Sequence, residues 1–326
     1  MKHIFITGGA GYVGSKLVPK LLSLGHKVTV LDLMIYGEDV LDDHPNLEKV
    51  KGDIRDINLL KKFLPCHNIL IHLACISNDP SFELNPTLGK SINLDAFEPM
   101  VKISVESKIN QFIYASSSSV YGIKKEKNVT EDMSLEPLTD YSKFKGDCER
   151  ILNNYSSEDF ITTTIRPSTV CGYAKRQRLD LVVNILTNHA FHNREIKVFG
   201  GEQLRPNVHI DDMVDSYLAV IDADSKKTNG QIFNVGFRNQ SVNELANDVK
   251  TVIGNDIKIV NTKSNDNRSY HVSSDKIKSI LGFETKHTVK DAVQDLKDAF
   301  EKKLLINTFK DEFFFNIKRM NSIKLQ

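Results

Sequence analysis

The sequence contains no tryptophan and only four cysteines, no two of which are spaced as Cys-x-x-Cys. A zinc ribbon or a dithiol redox pair would need that spacing, so both kinds of site are excluded. Widely separated cysteines in a chain of 326 residues are typical of reduced thiols in a cytosolic protein.

An excess of one charge and long apolar runs are also absent. The 43 basic and 42 acidic residues give a formal net charge of +1, whereas a nucleic-acid-binding protein carries a clear basic excess. No uncharged apolar run reaches the roughly 18 residues of a membrane span, and the N-terminus has no secretory signal pattern. No set of ligands with metal-binding spacing is evident. We therefore expect a cytoplasmic protein that binds no nucleic acid, has no membrane span and holds no metal.

Short apolar strands alternate with helical segments in the first half of the chain. The strands are predicted at 2–7, 27–31, 68–73, 111–115 and 161–165. Such alternation indicates parallel βαβ units, and it predicts an α/β fold with a Rossmann-type doubly wound parallel sheet. We expect this dinucleotide-binding domain at 1–172, with some later segments returning to it. A smaller mixed α/β substrate domain and a C-terminal tail are expected at 173–326. The tail is expected to pack on the body, and a subunit contact or a frayed end are the alternatives.

A glycine-rich turn follows the first strand and opens a helix. Residues 7–14 read TGGAGYVG, in which Gly9, Gly11 and Gly14 fit G-x-G-x-x-G. With Gly8 as the first glycine, the run also fits G-x-x-G-x-x-G. Glycines let the backbone approach a pyrophosphate closely, and the helix N-terminus supplies free N–H groups. The turn therefore predicts a dinucleotide site.

Two acids indicate which dinucleotide is bound. Asp32 follows the second strand, where a carboxylate receives the hydroxyls of an adenosine ribose. An acid there repels a 2′-phosphate and no arginine comes next, so the sequence favours NAD over NADP. Asp53 follows a predicted third strand and is a candidate partner for the adenine amino group.

Tyr141 and Lys145 form Tyr-x-x-x-Lys, a spacing that places both side chains on one helix face. The ordinary pKa of a phenol is about 10, and we expect the nearby ammonium to lower it. The pair would then accept a proton from a hydroxyl while hydride leaves its carbon. Residues 116–119 are four serines that follow the strand at 111–115, where hydroxyls would meet a substrate.

The sequence resembles the extended short-chain dehydrogenase/reductase family, in its nucleotide-sugar epimerase and dehydratase branch. The matching segments follow the family's order: TGGAGYVG (7–14), GDIRD (52–56), HLA (72–74), Asn93, YASSSSVYG (114–122), YSKFK (141–145), IRPSTVCG (165–172) and RPNVHIDDM (205–213). The resemblance implies NAD as cofactor and a nucleotide-diphosphate sugar as substrate. It also implies a homodimer that uses helices such as 94–107 and 141–153.

The resemblance implies roles for individual residues. Tyr141 would be the acid–base residue, Lys145 its partner, and Ser117 the hydroxyl that binds the reacting oxygen. The implied cofactor-binding residues are Gly8, Gly11, Tyr12, Val13, Gly14, Asp32, Asp53, Ile54, Leu73, Ala74, Asn93, Lys145, Pro167 and Ser168. The implied substrate-binding residues are Ser117, Ser118, Tyr141, Thr169, Arg205 and Arg268, with the two arginines as a diphosphate clamp.

One departure from the family pattern narrows the reaction. The 4,6-dehydratases of the family carry an Asp-Glu pair where this chain has Ser118-Ser119, which argues against elimination of water. We therefore expect an NAD-dependent epimerase that inverts C4 of a nucleotide-activated sugar through a transient 4-keto intermediate. A 4-ketoreductase or dehydrogenase with net cofactor turnover would use the same residues. A non-catalytic NAD-binding regulatory protein on the same fold is the third hypothesis.

Overall fold

The computed structural model describes residues 1–126, 128–263, 269 and 271–325. The strands are β1 (His3–Thr7), β2 (Lys27–Asp32), β3 (Leu47–Lys51), β4 (Ile69–His72), β5 (Gln111–Ala115), β6 (Ile161–Pro167), β7 (Thr169–Cys171), β8 (Glu195–Phe199), β9 (Leu204–His209), β10 (Gln231–Val235), β11 (Arg238–Ser241) and β12 (Lys258–Thr262). The helices are α1 (Gly14–Ser23), α2 (Ile57–Phe63), α3 (Asp79–Phe82), α4 (Pro86–Lys90), α5 (Phe97–Glu106), α6 (Asp140–Asn153), α7 (Val182–Asn193), α8 (Ile210–Asp222), α9 (Ser225–Thr228), α10 (Val242–Ile253), α11 (Asp275–Leu281), α12 (Val289–Glu301) and α13 (Asn316–Ile323). Within these residues, no helix has the length and apolar character needed to cross a membrane.

Seven parallel strands form the central sheet, in the order β10-β6-β5-β4-β1-β2-β3. This confirms the predicted Rossmann-type doubly wound fold. The strand order reverses between β1 and β4, and in such sheets a ligand crevice opens at that point, outside the carboxyl ends of the strands. Strand β10 comes from the second half of the chain and forms one edge of the sheet.

Both faces of the central sheet are buried, which explains why its strands are apolar runs rather than alternating ones. In β1, Ile4 and Ile6 pack in the core cluster on the side of α1 and α8. Phe5 points the other way, into the cluster shared with α2, α5 and α6. All three side chains are fully buried. The apolar run therefore follows from the two helical layers.

The second half of the chain adds two smaller sheets. One has the order β11-β9-β7 and the other pairs β12 with β8. Helices α7, α10 and α12 share a core cluster with β8 that includes Val183, Ile196, Leu245 and Val293. This cluster lies apart from the two clusters of the central sheet.

Two helix starts matter for the cleft. At α6, Thr139 and Ser142 form a capping box, so the helix begins at Asp140 and Tyr141 lies in its first turn. The sequence predicts a helix from Asp180, but α7 begins at Val182. The reason is that the Asp180 carboxylate accepts hydrogen bonds from the Arg178 side chain and the Asn316 backbone instead.

The C-terminal tail packs on the body, as the sequence predicts. Phe314 and Phe315 contact a core cluster that contains Leu179 and Leu296, and the Leu179 N–H donates to the Phe314 carbonyl at 3.0 Å. Helix α13 follows and places Met320, which is 7% exposed, in the cluster of α2, α5 and α6. The tail thereby reaches the edge of the crevice.

Candidate active site

A cleft lies at the carboxyl ends of the central strands. Its volume is about 400 Å³, which lies within the range usual for small-molecule sites. The glycine turn, the ends of β2, β4, β5 and β6, the start of α6, the segment before α7, and α13 all contribute to its wall. The cleft therefore forms where the topology of the sheet predicts a ligand crevice.

Close packing holds the glycine turn in shape. Gly8 has a φ of +73°, and a Cβ built on it would lie 2.5 Å from the backbone nitrogen of Ala74. A Cβ on Gly14 would lie 2.3 Å from the Gly9 carbonyl oxygen. At Gly11 a Cβ would meet only the Gly8 oxygen, at 3.1 Å, within the described residues. Gly11 thus leaves room for a ligand to approach the backbone closely.

Asp32, at the end of β2, is held by two backbone N–H groups. Ala10 donates to its carboxylate at 3.0 Å and Met34 at 2.8 Å. Burial raises the pKa of Asp32, while these two hydrogen bonds and the Arg176 charge act in the opposite direction. The carboxylate borders the cleft and keeps lone pairs for hydroxyl donors.

The structure brings most of the predicted cofactor-binding residues to the cleft. Those in its wall are Gly8, Gly11, Tyr12, Val13, Gly14, Asp32, Asp53, Ile54, Leu73, Ala74, Pro167 and Ser168. The Ser168 hydroxyl is buried and has no hydrogen-bond partner in the described residues. A glycine turn, a carboxylate at the end of β2 and an unpartnered hydroxyl together fit a dinucleotide.

Asp53 makes an ion pair of its own within the cleft wall. Its carboxylate accepts from the Arg55 guanidinium at 2.7 Å. Burial alone would raise the pKa of Asp53, but the Arg55 hydrogen bonds and charge lower it overall. Asp53 is therefore held as a carboxylate beside Ile54.

Asn93 lies behind the cleft wall instead of in it. Its carboxamide oxygen accepts from the Ile76 N–H at 2.8 Å, and its NH₂ donates to the Ile76 carbonyl at 3.0 Å. Asn93 is 5% exposed, and Ile76 is in the wall. The amide is bonded to the backbone of Ile76, and direct cofactor binding by Asn93 stays a prediction.

The predicted substrate-binding residues divide into three groups. Ser117, Ser118, Tyr141 and Thr169 lie in the cleft wall. Arg205 lies on β9 outside this wall, where its guanidinium donates to the Leu204 carbonyl at 3.0 Å. Arg268 lies outside the described residues. The diphosphate clamp by the two arginines therefore stays a prediction.

Ser117 and Ser119 are tied to each other. Ser117 caps a short 3₁₀ turn, its Oγ accepts from the Ser119 N–H at 3.2 Å, and the two hydroxyls lie 2.9 Å apart. The hydroxyl of neighbouring Ser116 is directed to the interior and donates to the Glu149 carboxylate. All four serines border the cleft, but the first of them uses its hydroxyl to support the core.

Lys145 lies one helical turn after Tyr141 and is 4% exposed. Its ammonium donates to the Ala115 carbonyl at 2.6 Å and lies 5.9 Å from the centre of the Tyr141 ring. The amine therefore ties α6 to the end of β5. This fixes the first turn of α6 relative to the sheet.

The pKa of the Tyr141 phenol depends on burial and on neighbouring charges. Burial raises the pKa of Tyr141 well above its usual value, and Asp79 and Cys75 act in the same direction. The positive charge that lowers it is that of Arg178. The lowering of this pKa by Lys145 stays a prediction, and the Lys145 ammonium is bonded to the Ala115 carbonyl.

Several polar residues of the cleft wall have no role assigned from the sequence, among them Tyr36, Arg176, Arg178 and Asn316. Arg178 pairs with Asp180 at 2.9 Å and donates to the Ser77 hydroxyl at 3.2 Å. The arginines follow the segment IRPSTVCG at 165–172, so a basic pair after that motif was the available signal. Asn316 lies in the tail and carries no sequence signal of its own.

One group of side chains in the described residues has the spacing of metal ligands: His209, Asp211 and Asp295. The Asp211 N–H donates to Nδ1 of His209 at 3.1 Å, which places the ring proton on Nε2. Nε2 faces the Asp295 carboxylate at 3.2 Å. With its ring proton on Nε2, His209 offers no lone pair to an ion at this position, and it acts as the N-cap of α8.

Comparisons with known proteins agree with this geometry. The model of the family described as "NAD dependent epimerase/dehydratase family" matches residues 4–236. The chain is 27% identical to a UDP-glucose 4-epimerase of Lactobacillus helveticus over 311 residues, 89% of this chain and 94% of the relative. It is 32% identical to a UDP-glucose 4-epimerase of Mycolicibacterium smegmatis over 243 residues, 71% of this chain and 76% of the relative. The crystal structure of a Thermotoga maritima UDP-glucose 4-epimerase with UDP-glucose has a TM-score of 0.84 at 25% identity, covering 93% of this chain and all of that one.

Proposed function

The chain belongs to the NAD-dependent epimerase/dehydratase family, and we propose that it inverts C4 of a nucleotide-diphosphate sugar. The observation that carries this proposal is the cleft itself. Tyr141, Ser117 and the glycine turn border one cavity, and Ser118 and Ser119 stand where a dehydratase needs an acid and a base. The relatives named as UDP-glucose 4-epimerases support the same reaction.

Tyr141 is the residue that would move the proton. Its phenol is half-buried at the start of α6, and burial favours the neutral form by raising its pKa. The Arg178 charge favours the phenolate, so this chain supplies a cation for the step in which the tyrosine is a base. When bound, NAD supplies the hydride acceptor. In an inversion the same phenol returns the proton, so no net acid or base is consumed.

Ser117 and Lys145 would hold the reacting group and the tyrosine in place. The Ser117 hydroxyl borders the cleft and is oriented by its contacts with Ser119. It is placed to donate a hydrogen bond to a sugar oxygen. Lys145, through Ala115, fixes the position of the helix turn that carries Tyr141. Such fixed placement is a main source of catalytic rate.

The absence of an elimination pair separates inversion from dehydration. Loss of water from a 4-keto sugar requires a base for one carbon and an acid for the leaving hydroxyl. At the two positions after Ser117 the chain has hydroxyls, and Ser119 is bonded to Ser117. Neither hydroxyl is a useful base near neutral pH. An inversion needs only the Tyr141 proton route.

The reaction is tested by proton NMR of the purified protein mixed with UDP-, dTDP-, GDP- and CDP-sugars, without cofactor regeneration. We expect one sugar to be converted to its C4 epimer with no net change in NAD. A change in cofactor matched one-for-one by sugar oxidation or reduction would replace the proposal by a dehydrogenase or ketoreductase. Binding of NAD with no turnover of any sugar would indicate the non-catalytic alternative.

Asp32→Asn is expected to weaken NAD binding by about 10- to 100-fold, since hydrogen bonds to a charged group contribute about 1.5–3 kcal/mol. It should also narrow the preference for NAD over NADP, because the carboxylate that repels a 2′-phosphate is lost. Isothermal titration with both dinucleotides measures the two effects.

Asp39→Asn is the matched control, because Asp39 is an exposed acid on the same loop. It should leave both affinities within about twofold of wild type, since exposed charges interact weakly. Equal NAD affinity of wild type and Asp32→Asn would remove Asp32 from the cofactor site.

A further inference from the structure

Within the described residues, Arg176 is a buried cation without a carboxylate partner. It is 4% exposed, and it makes no ion pair in that part of the chain. Its Nη2 donates to the Asn316 side-chain oxygen at 2.6 Å and its Nη1 reaches the Gln177 carbonyl at 3.4 Å, while Nε has no partner there. An unpaired buried charge is costly. A ligand of opposite charge would remove that cost.

The neighbouring charges do not compensate for it. Arg178 and Asp180 form an ion pair at 2.9 Å, so the two together are neutral. The pKa of Asp180 is held below its usual value, largely by Arg178, so the pair stays ionised. The segment that holds Arg176, Arg178 and Asp180 therefore carries an excess positive charge, that of Arg176.

The surroundings of Arg176 belong to the cofactor half of the cleft. Its backbone N–H reaches the hydroxyl of Ser15, in the first turn of α1, at 3.4 Å. Its guanidinium lies 3.6 Å from the centre of the Tyr36 ring, in the loop that follows Asp32. The Arg176 charge also lowers the pKa of the Asp32 carboxyl against the effect of burial. These contacts place the charge between the glycine turn and the ribose-binding acid.

We propose that the Arg176 guanidinium binds the diphosphate of the dinucleotide beside the glycine turn, and that Asn316 of α13 sets its direction. A guanidinium can hold two phosphate oxygens at once. The glycine turn offers only backbone N–H groups on its side. The inference depends on the cofactor being a dinucleotide and not on which sugar reaction follows.

Asn316 orients the Arg176 side chain and is itself held by further hydrogen bonds. Its side-chain oxygen accepts from Arg176 and from the Tyr36 hydroxyl at 2.9 Å, and its NH₂ donates to the Ser77 hydroxyl at 3.0 Å. Its own N–H donates to Asp180 at 3.1 Å. One tail residue thus connects three loops of the cleft. The C-terminal helix is thereby part of the cofactor site.

The test is calorimetric binding of ADP, adenosine and UDP to nucleotide-free full-length protein. Arg176→Gln should weaken ADP binding by about 10- to 100-fold and leave adenosine and UDP within about twofold of wild type. Lys175→Gln removes the adjacent exposed charge, which pairs with Asp42, and should change none of the three. Asn316→Leu should weaken ADP binding by a smaller factor, about threefold.

The three ligands distinguish diphosphate binding from a role of Arg176 in the fold or in the sugar-nucleotide site. Equal losses for ADP and adenosine would mean that Arg176 only supports the fold. If Arg176→Gln weakened the binding of UDP but not of ADP, the Arg176 charge would belong to the substrate site. ADP binding unchanged in Asn316→Leu would exclude the tail from the site.

The melting temperature of Arg176→Gln without nucleotide should not fall, although its ADP affinity should. Because Arg176→Gln removes an unpaired buried charge, its melting temperature should be at or above that of wild type, while the increase caused by ADP should shrink. A lower melting temperature together with an undiminished ADP effect would overturn the proposal.

Arg176→Lys keeps the charge without the planar fork, so it should retain more ADP affinity than Arg176→Gln. Equal ADP affinities of the two variants would also count against the proposal.

Discussion

Tyr141→Phe should lower turnover by about two to four orders of magnitude, the usual contribution of a positioned acid–base group. The substitution removes one hydroxyl and keeps the ring, which packs against the core cluster of α5 and α6. NAD affinity and the melting temperature should therefore stay near those of wild type. The measurement is the steady-state epimerisation rate on the sugar nucleotide identified by NMR, with kcat and KM determined separately.

Tyr155→Phe is the matched control for loss of a phenol hydroxyl. Tyr155 follows α6 and donates to Glu98 at 2.8 Å, outside the cleft wall. Its substitution should leave kcat within about twofold of wild type, because no proton route passes through it. If Tyr141→Phe kept more than about a tenth of the rate, well above the range for a lost acid–base group, the proposed proton route would be wrong.

The fold could be predicted because its signals are local. The run Ile4-Phe5-Ile6 is apolar since both faces of β1 are covered, and β4 (Ile69–His72) repeats this pattern. The glycine turn and Asp32 lie at fixed places relative to β1 and β2. The position of the cleft then follows from the strand order alone.

The part of the cleft wall that Arg176, Arg178 and Asn316 form could not be predicted in the same way. Asn316 meets Tyr36 and Ser77 across 280 and 239 positions of sequence, and no short pattern records such a contact. Arg176 and Arg178 look in sequence like ordinary surface cations. Only burial and the lack of a carboxylate partner for Arg176 in the described residues distinguish it. Lys145 donates to the Ala115 carbonyl at the end of β5. The spacing of Tyr141 and Lys145 on one helix face does not predict a contact with another element.

Glu149 and Arg166 form a buried ion pair that supports the catalytic helix. They are 4% and 2% exposed, and Nη2 of Arg166 donates to the carboxylate at 2.6 Å. Nη1 of Arg166 donates to the Tyr121 hydroxyl at 2.6 Å, and that hydroxyl donates to Asn234 at 2.8 Å. The network joins α6, one turn after Lys145, to β6, to β10 and to the turn that follows Ser117.

Glu149→Gln should lower the free energy of unfolding by about 3–5 kcal/mol, because it leaves the Arg166 charge buried without a counter-ion. Urea unfolding followed by circular dichroism measures the change. Asp147→Asn, in the exposed pair of Asp147 with Arg150 on the same helix, is the matched control and should cost about 0–1 kcal/mol.

The double variant Glu149→Leu/Arg166→Met distinguishes charge from packing. It removes both charges from the same buried site, so it should lower the free energy of unfolding less than Glu149→Gln alone does. If the double variant lost as much unfolding free energy as the two single variants together, packing and not the ion pair would stabilise this region.

Glu149→Gln should also reduce kcat more than it raises KM, because the pair lies one turn beyond Lys145 on the helix that carries Tyr141. The glycine turn and Asp32 lie on other elements.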